Sequence, residues 1–377
     1  MKTIPLLDLN REYLAYREEL DQTLLETALK ASYILGPEVA KLEEEVARYI
    51  GTEHCLGVAS GTDALIIALR ALAIKLKGTE YFAPTDEIIT TPFTFTATGG
   101  AILRSGATPV FVDIDPATFN LDPQQVANAI TPNTVGIIPV HLYGQACAMD
   151  QFNALAAKHN LFILEDVAQA FGGEYEQKKL GSTGHMAAFS FFPSKNLGAF
   201  GDGGMVTTGD AELAQLARML SKHGGRDKYN VDYLGYNSRL DTLQAAILLT
   251  KLKYVDHFNS LRRKIAGCYN EALKGLDWLA TPPETEKGHV YHQYTLRVKN
   301  GRRDDLQKKL KEQGIATAVY YPLLLTDMKL YQGCSLIPAP LKQAEAACSE
   351  VLSLPVEPLL SAEELNHVTA SIKSIQF

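Results

Sequence analysis

Three short segments carry side chains whose types and spacing could do chemistry. Ser60–Asp63 (Ser-Gly-Thr-Asp) joins a strand-like apolar run to the start of a helical one. Backbone N–H groups at a helix amino end favour an anion, and a glycine at position 61 lets a phosphate approach closely. The bland reading is an ordinary N-cap, for which Ser, Thr and Asp are all suited. Leu161–Gln169 is a buried type of strand that ends in Glu165 and Asp166. An acid there can face a ligand at the mouth of a sheet and hold a cationic ring nitrogen; a cap or an ion pair is the alternative. Lys195 follows the aromatic run Phe189–Phe192 and precedes a glycine-rich turn, Gly198–Gly204. Most lysines are simply solvated. One held near apolar walls and positive charge loses its proton more readily and becomes a nucleophile toward carbonyls.

The surrounding pattern says what must position these groups. Pro37–Ile50 repeats apolar residues at helical spacing behind a Gly-Pro start. Strands are expected at 54–60, 87–93, 108–115, 134–144 and 161–167, alternating with helices at 63–76, 97–104, 123–130 and 150–159. Val- and Ile-rich strands separated by helices indicate right-handed βαβ units, hence an α/β fold with a mostly parallel sheet. Ligands of such sheets bind outside the carboxyl ends of the strands, where all three segments fall. Two further strands, 185–193 and 203–209, flank the glycine-rich turn. Leu240–Leu273 reads as one long helix linking two domains, with a large domain at 1–250 and a smaller α+β domain at 251–377. The latter would hold strands at 291–298 and 316–321 and helices at 304–313 and 362–372. Lys75–Asp86 reads as a surface loop.

Composition narrows the class. The 377 residues are 46% hydrophobic and 21% charged, with a net charge of −7, an ordinary globular balance that argues against bulk nucleic-acid binding. No apolar stretch approaches the ~18 residues of a membrane span. The stretch from Met1 to Glu19 has no uninterrupted apolar core and does not read as a secretory signal. Five scattered cysteines without a CxxC pair suggest reduced, mostly packed thiols, and a cytoplasmic protein is expected. The turn at 198–204 lacks both the dinucleotide fingerprint and the P-loop ending, which disfavours a NAD-dependent oxidoreductase. His289 and His292 are expected on opposite faces of a strand, a poor metal site. Asp113 and Asp115 read as turn and capping residues.

An anion cradle, a strand-end carboxylate and a desolvated lysine are together what a phosphorylated pyridoxal requires. With Thr91–Thr98 and Gly235–Ala246 added, these segments resemble the nucleotide-sugar aminotransferases of the DegT type, over Ile4 to about Leu359 and with five blocks in family order. The resemblance implies the type I fold of pyridoxal-phosphate enzymes: a large α/β/α domain with a seven-stranded, mostly parallel sheet and a smaller carboxyl-terminal α+β domain. It implies that Lys195 carries the cofactor, Asp166 pairs with the pyridinium nitrogen, Gln169 lies near the phenolic oxygen and Phe95 stacks on the ring. Thr62, the Thr62 and Asp63 amides and the Ser190 hydroxyl would hold the phosphate. The family's equivalent of Asn237 reaches that phosphate from a neighbouring subunit, implying a homodimer. Arg239 would meet a substrate carboxylate or phosphate, or else form a salt bridge at the dimer interface.

The resemblance also implies a substrate class: a nucleotide-linked keto sugar, with L-glutamate as amino donor. Asn237–Leu248 looks most like relatives that aminate C3 of a hexos-3-ulose, such as a UDP-linked 3-keto-N-acetylglucosaminuronate or a dTDP-linked 3-keto-6-deoxyhexose. A 4-keto sugar is the runner-up, and a catalytically silent regulator of the same fold is the alternative from another class. The products would feed lipopolysaccharide O-antigen or antibiotic sugars. Tyr320, expected on the sugar side, stands where the family usually has His, and Leu324 where it has Pro.

Overall fold

The computed structural model describes residues 3–283 and 288–377. Met1 and Lys2 of the amino-terminal stretch, and residues 284–287, lie outside them. Helices α1 (Leu9–Ala15), α2 (Arg17–Lys30) and α3 (Pro37–Ile50) lead into the sheet. The helix α3 buries Val39, Leu42, Val46 and Ile50 on one face, and Gly51 ends it in a left-handed conformation that suits glycine.

Four βα alternations and a fifth strand follow: β1 (His54–Val58), α4 (Gly61–Lys77), β2 (Glu87–Thr90), α5 (Thr96–Arg104), β3 (Thr108–Phe111), α6 (Pro123–Ala129), β4 (Thr134–Ile137), α7 (Met149–His159) and β5 (Phe162–Asp166). A short hairpin, β6 (Glu174–Tyr175) and β7 (Lys178–Lys179), precedes β8 (Met186–Ser190) and β9 (Gly204–Thr208). The main sheet has seven strands in the order β1-β9-β8-β5-β4-β2-β3. Strand β9 is antiparallel to both its neighbours, and every other pair is parallel. This is the mostly parallel sheet expected from the alternation. The strands are shorter than their apolar runs, and residues after the carboxyl ends of β1, β2, β4, β5 and β8 line a cavity.

Helix α4 lies inside the molecule. Its residues from Ala64 to Ala73 are all buried, and they pack on β1, β8, β9 and the helix α8 (Ala211–Ser221). Arg70 is buried there as well. It donates to Glu80 and to the Tyr236 hydroxyl, and its guanidinium lies 3.7 Å from the centroid of the Tyr81 ring. The loop after α4 is thereby pinned to the core. Leu69, at the centre of this layer, is completely buried. Leu69→Ala is expected to destabilise the fold by about 2–5 kcal/mol through lost transfer energy and a residual cavity, readable as a lower denaturant midpoint.

The stretch expected as one helix is two, α9 (Thr242–Leu252) and α10 (Val255–Leu273). The break falls at Lys253 and Tyr254, whose side chains both bind Glu19 of α2. A three-stranded sheet then forms from β10 (Leu279–Ala280), β11 (Tyr294–Val298) and β12 (Val351–Leu354), with helices α11 (Arg303–Glu312), α12 (Lys342–Glu350) and α13 (Ala362–Ser374). Residues 316–321, expected as a strand, make only an isolated bridge, Ala318 to Ser353. That bridge falls on the outer edge of β12, whose other edge pairs β11 in antiparallel register from Tyr294–Leu354 to Arg297–Val351. Ile4 packs into the core of this second unit and bridges to Ile315. Two of the five thiols, Cys55 and Cys147, are buried; Cys268 is exposed and Cys334 and Cys348 are partly so, fewer packed thiols than expected. Asp113 accepts the amides of Gln343 and Ala344 at the start of α12, and Asp115 those of Ala117 and Thr118, the capping and turn roles expected. Among the described residues no helix is long and apolar enough to cross a membrane.

Candidate active site

The carboxyl ends of β1, β2, β4, β5 and β8 open on a cavity of about 660 Å³. Ser60, Gly61, Thr62, Phe95, Asp166, Gln169, Ser190, Lys195 and Tyr320 all line it, so nine residues separated by up to 260 positions converge in one place.

Lys195 sits on the turn after β8. Its backbone N–H closes the turn on the Phe192 carbonyl, at 2.8 Å. Asn196 donates to the Asn259 side chain of α10 at 2.8 Å and to the Val290 carbonyl at 3.0 Å. The buried ammonium of Lys251, on α9, donates to the Gly198 carbonyl at 2.6 Å. The lysine is thus held from both sides by helices that come later in the chain. Burial pushes its amine down to about 8, and the attraction of Asp166 opposes that only in part. In the cofactor-free protein, modification of Lys195 by an amine reagent is expected to switch on as pH rises through about 8, well below ordinary lysines at about 10.5. Rates read peptide by peptide over a pH series check this.

Asp166 ends β5 and is buried. Thr98, one turn into α5, donates its hydroxyl to Oδ2 at 2.8 Å, and the Ala168 amide donates to Oδ1 at 3.1 Å. Burial raises the carboxyl, and these hydrogen bonds pull the other way. A cation placed opposite it would be stabilised and would keep it ionised. The preceding residue, Glu165, faces the other side of the sheet. There it accepts from His141 and from the amides of Gly181, Thr183 and Gly184, which hold it below the usual carboxylate range against its burial.

Opposite Asp166 lies the amino end of α4. The Asp63 amide is spent on the Ser60 hydroxyl at 3.1 Å, and the Asp63 carboxylate takes the Ser238 hydroxyl at 2.8 Å. Ser60 thus caps α4, so the Asp63 amide expected to hold a phosphate is already bonded, and Asp63 is not among the cavity-lining residues. The amides of Gly61 and Thr62 precede the first intrahelical bond and have no helical acceptor. A Cβ on Gly61 would stand 2.6 Å from the Ser190 Cβ, so glycine there is what lets β8 approach the helix end. The Thr62 and Ser190 hydroxyls and two amides at a positive helix end form a cradle for a dianion.

Phe95, just before α5, is 59% exposed and forms an apolar wall. Gln169 accepts the Tyr143 amide at 2.7 Å and donates to the Tyr321 hydroxyl at 2.8 Å. Tyr143 is held in a left-handed conformation, φ 57°, which a bulky side chain rarely adopts and which aims its N–H at Gln169. The Tyr143 hydroxyl donates to the Tyr320 carbonyl and ties the 319–322 segment to this wall. Asn237 and Arg239 lie elsewhere. They bond to each other in a separate cleft of about 470 Å³ lined also by Ile34, Gly201 and Gln244, with Asp202 shared between the two cavities.

Thr98, Tyr143, Tyr321 and His292, to which the sequence pattern assigns no cofactor role, also line the cavity. Thr98 had a usable signal, since it lies three residues after Phe95 at helical spacing. His289 and His292 precede β11 instead of lying within it, and both are buried.

The sequence profile of the DegT/DnrJ/EryC1/StrS aminotransferase family matches residues 15–373. The chain belongs to that family. Relatives include a Geobacillus stearothermophilus protein named pleiotropic regulatory protein, 46% identical over 98% of this chain and 97% of the relative. Another is the UDP-N-acetyl-3-dehydro-alpha-D-glucosamine 3-aminotransferase of Acidithiobacillus ferrooxidans, 44% identical with the same coverage. Among solved structures, ntda from Bacillus subtilis with bound cofactor PMP superposes with a TM-score of 0.91, at 33% identity, covering 99% of this chain and 85% of that one.

Proposed function

We propose that the protein is a pyridoxal-phosphate-dependent aminotransferase that converts the keto group of a nucleotide-linked hexos-3-ulose to an amine, with L-glutamate as donor. The observation that carries the reading is the convergence in one cavity of an amine lowered to about 8, a buried carboxylate and a dianion cradle. The residues fit the cofactor: the Thr62 and Ser190 hydroxyls with the Gly61 and Thr62 amides would hold its phosphate, Asp166 its ring nitrogen, Gln169 its phenolic side and Phe95 its face. When bound, that group supplies an electron-accepting ring that stabilises charge on the carbon bearing the amine.

The chain's own residues supply the rest. Lys195 Nζ, largely neutral above pH 8, serves first as nucleophile and then as the base that takes the proton from the donor's Cα. Asp166 stays ionised opposite a cation and fixes the ring's protonation. Tyr320, Val319 and Gln293 form the open wall on the sugar side. Position C3 and a UDP-linked sugar rest on the activity named for the Acidithiobacillus relative.

We further propose a homodimer in the cytoplasm, in which Asn237 and Arg239 of one copy complete the site of the other. Their cleft adjoins the main cavity at Asp202 without Asn237 or Arg239 lining that cavity. The same reading divides the chain near residue 250, ahead of α10.

Incubation with L-[15N]glutamate and a UDP-linked 3-keto sugar, alongside its 4-keto isomer, tests the assignment by mass spectrometry. Label in the 3-amino product supports it, and label only in the 4-amino product moves the position. The regulatory reading, suggested by the name of the Geobacillus relative, predicts no label in any sugar.

A further inference from the structure

Helix α1 is held in place by charge instead of by a core. None of its seven residues is buried, and so short a helix has little stability of its own in water. Arg11 fastens it to the second unit, donating to Glu357 at 2.7 Å, to both oxygens of Glu364 and to the Leu359 carbonyl. The next residue, Glu12, meets α9 instead: its Oε1 lies 2.7 Å from Nζ of Lys251. That buried ammonium is the one that donates to the Gly198 carbonyl at 2.6 Å, on the turn that carries Lys195. The turn has little slack, since a Cβ on Gly198 would stand 2.3 Å from the Pro193 carbonyl oxygen. Just beyond it, the Phe200 ring packs edge-on against Tyr13 of α1, with centroids 6.1 Å apart. Glu12 also serves a second buried cation. Burial lowers the Arg262 guanidinium to about 10, with Glu12 and then Glu357 opposing it. Arg262 donates to the Val356 carbonyl at 3.1 Å and to the Tyr291 carbonyl at 3.4 Å, beside the cavity-lining His292.

We propose that Glu12 is a positioning residue for Lys195: by pairing with Lys251 it keeps that ammonium buried against the Gly198 carbonyl, and so fixes the turn from which the reactive amine projects. A buried charge stripped of its partner is strongly unfavourable. Without Glu12, Lys251 would swing toward water and release the carbonyl. The amino-terminal helix is thereby part of the support of the active site, although none of its residues lines the cavity. The inference rests on the proposed role of Lys195, but the order of the turn is measurable without cofactor or substrate.

The experiment compares wild type, Glu12→Gln, Lys251→Met and the double variant as full-length proteins. Amide deuterium exchange at residues 195–200 is read by peptide mass without cofactor, with the core helix α4 as the reference for global stability. Glu12→Gln is expected to speed exchange at the turn about tenfold or more, as loss of a hydrogen bond from a charged donor allows, and to leave α4 unmoved. Lys251→Met is expected to do the same, and the double variant to be no faster than Lys251→Met alone. With pyridoxal phosphate supplied, kcat of Glu12→Gln is expected to fall about ten- to a hundredfold, the cost of a slightly misplaced reacting group, with KM for L-glutamate within about twofold of wild type. Circular dichroism checks folding, and Lys251→Leu replaces the Met variant if that one does not fold. Exchange at the turn unmoved by Glu12→Gln overturns the proposal, as does a rise shared equally by α4. Additive effects at the turn in the double variant also overturn it, because Glu12 would then not act through Lys251. A loosened turn with kcat unchanged would reduce Glu12 to a structural residue. A wild-type protein without amino transfer would count against the aminotransferase reading, and the exchange comparison would still decide whether Glu12 orders the turn.

Discussion

Replacing Lys195 by alanine is expected to reduce amino transfer by on the order of 10⁴-fold or more. The upper range of general acid–base catalysis alone reaches that figure, and the nucleophilic role is lost with the same side chain. The expectation is this large because the site has no substitute. Among the described residues lining the cavity Lys195 is the only lysine, and no arginine lines it. Lys251, the neighbouring buried cation, is spent on Gly198 and Glu12. The fold is expected to survive, since the turn is held by Asn196 and Lys251 and not by the lysine side chain. Single-turnover measurement with L-glutamate reads the loss directly. A variant that kept a hundredth of wild-type transfer would mean that another group does the chemistry.

Asp166→Asn carries the second large effect. The carboxylate is buried at the end of β5, and its hydrogen bonds from Thr98 and Ala168 aim it into the cavity. Removing one member of a buried charge pair costs about 3–5 kcal/mol, which corresponds to a loss of roughly 10²–10⁴ in affinity for the cationic partner. Titration of the cofactor-free variant with pyridoxal phosphate is expected to show that loss. Thr98→Val removes only one hydrogen bond to the carboxylate, worth about 1.5–3 kcal/mol for a charged acceptor. An Asp166→Asn variant that binds as tightly as wild type would remove Asp166 from the account. The pair also sets a pH window for reactivity. Lys195 is the group lowered to about 8, so the protein without cofactor gains nucleophilicity as pH rises through that value and loses it as pH falls.

Much of this site was legible because its residues sit where local pattern is strongest. Asp166 ends an unbroken apolar strand, Ser60–Thr62 opens a helix, and Lys195 separates an aromatic strand from a glycine turn. Each of those signals is carried within about ten residues. His292, Tyr143 and Tyr321 had no such signal, because what matters about them is which distant wall they complete. The left-handed backbone at Tyr143 goes with a hydrogen bond from its amide to Gln169, 26 residues away. The same limit explains the errors in the fold. Residues 316–321 have strand-like composition, but they meet the outer edge of β12 only at Ala318 and Ser353. Residues 240–273 contain no proline, and the break coincides with Lys253 and Tyr254, whose side chains bind Glu19 of α2. Helix α2 was not read from the pattern at all. It buries only Leu20 and Thr27 and leaves Leu25 and Leu29 exposed, so it shows no apolar face within one chain. Helix α8 did carry a signal, an Asp210 cap ahead of Leu213, Leu216 and Leu220.

The central claim is that Lys195 and Asp166 hold a pyridoxal cofactor that takes an amino group from L-glutamate. The most direct measurement is the visible absorbance spectrum of the purified protein supplied with pyridoxal phosphate, before and after L-glutamate, with Lys195→Ala alongside. The account predicts a yellow band in the wild type that glutamate bleaches to the aminated cofactor with release of 2-oxoglutarate, and no such lysine-dependent band in the variant. A wild-type protein that stays colourless with the cofactor, or a band that Lys195→Ala retains unchanged, would contradict it.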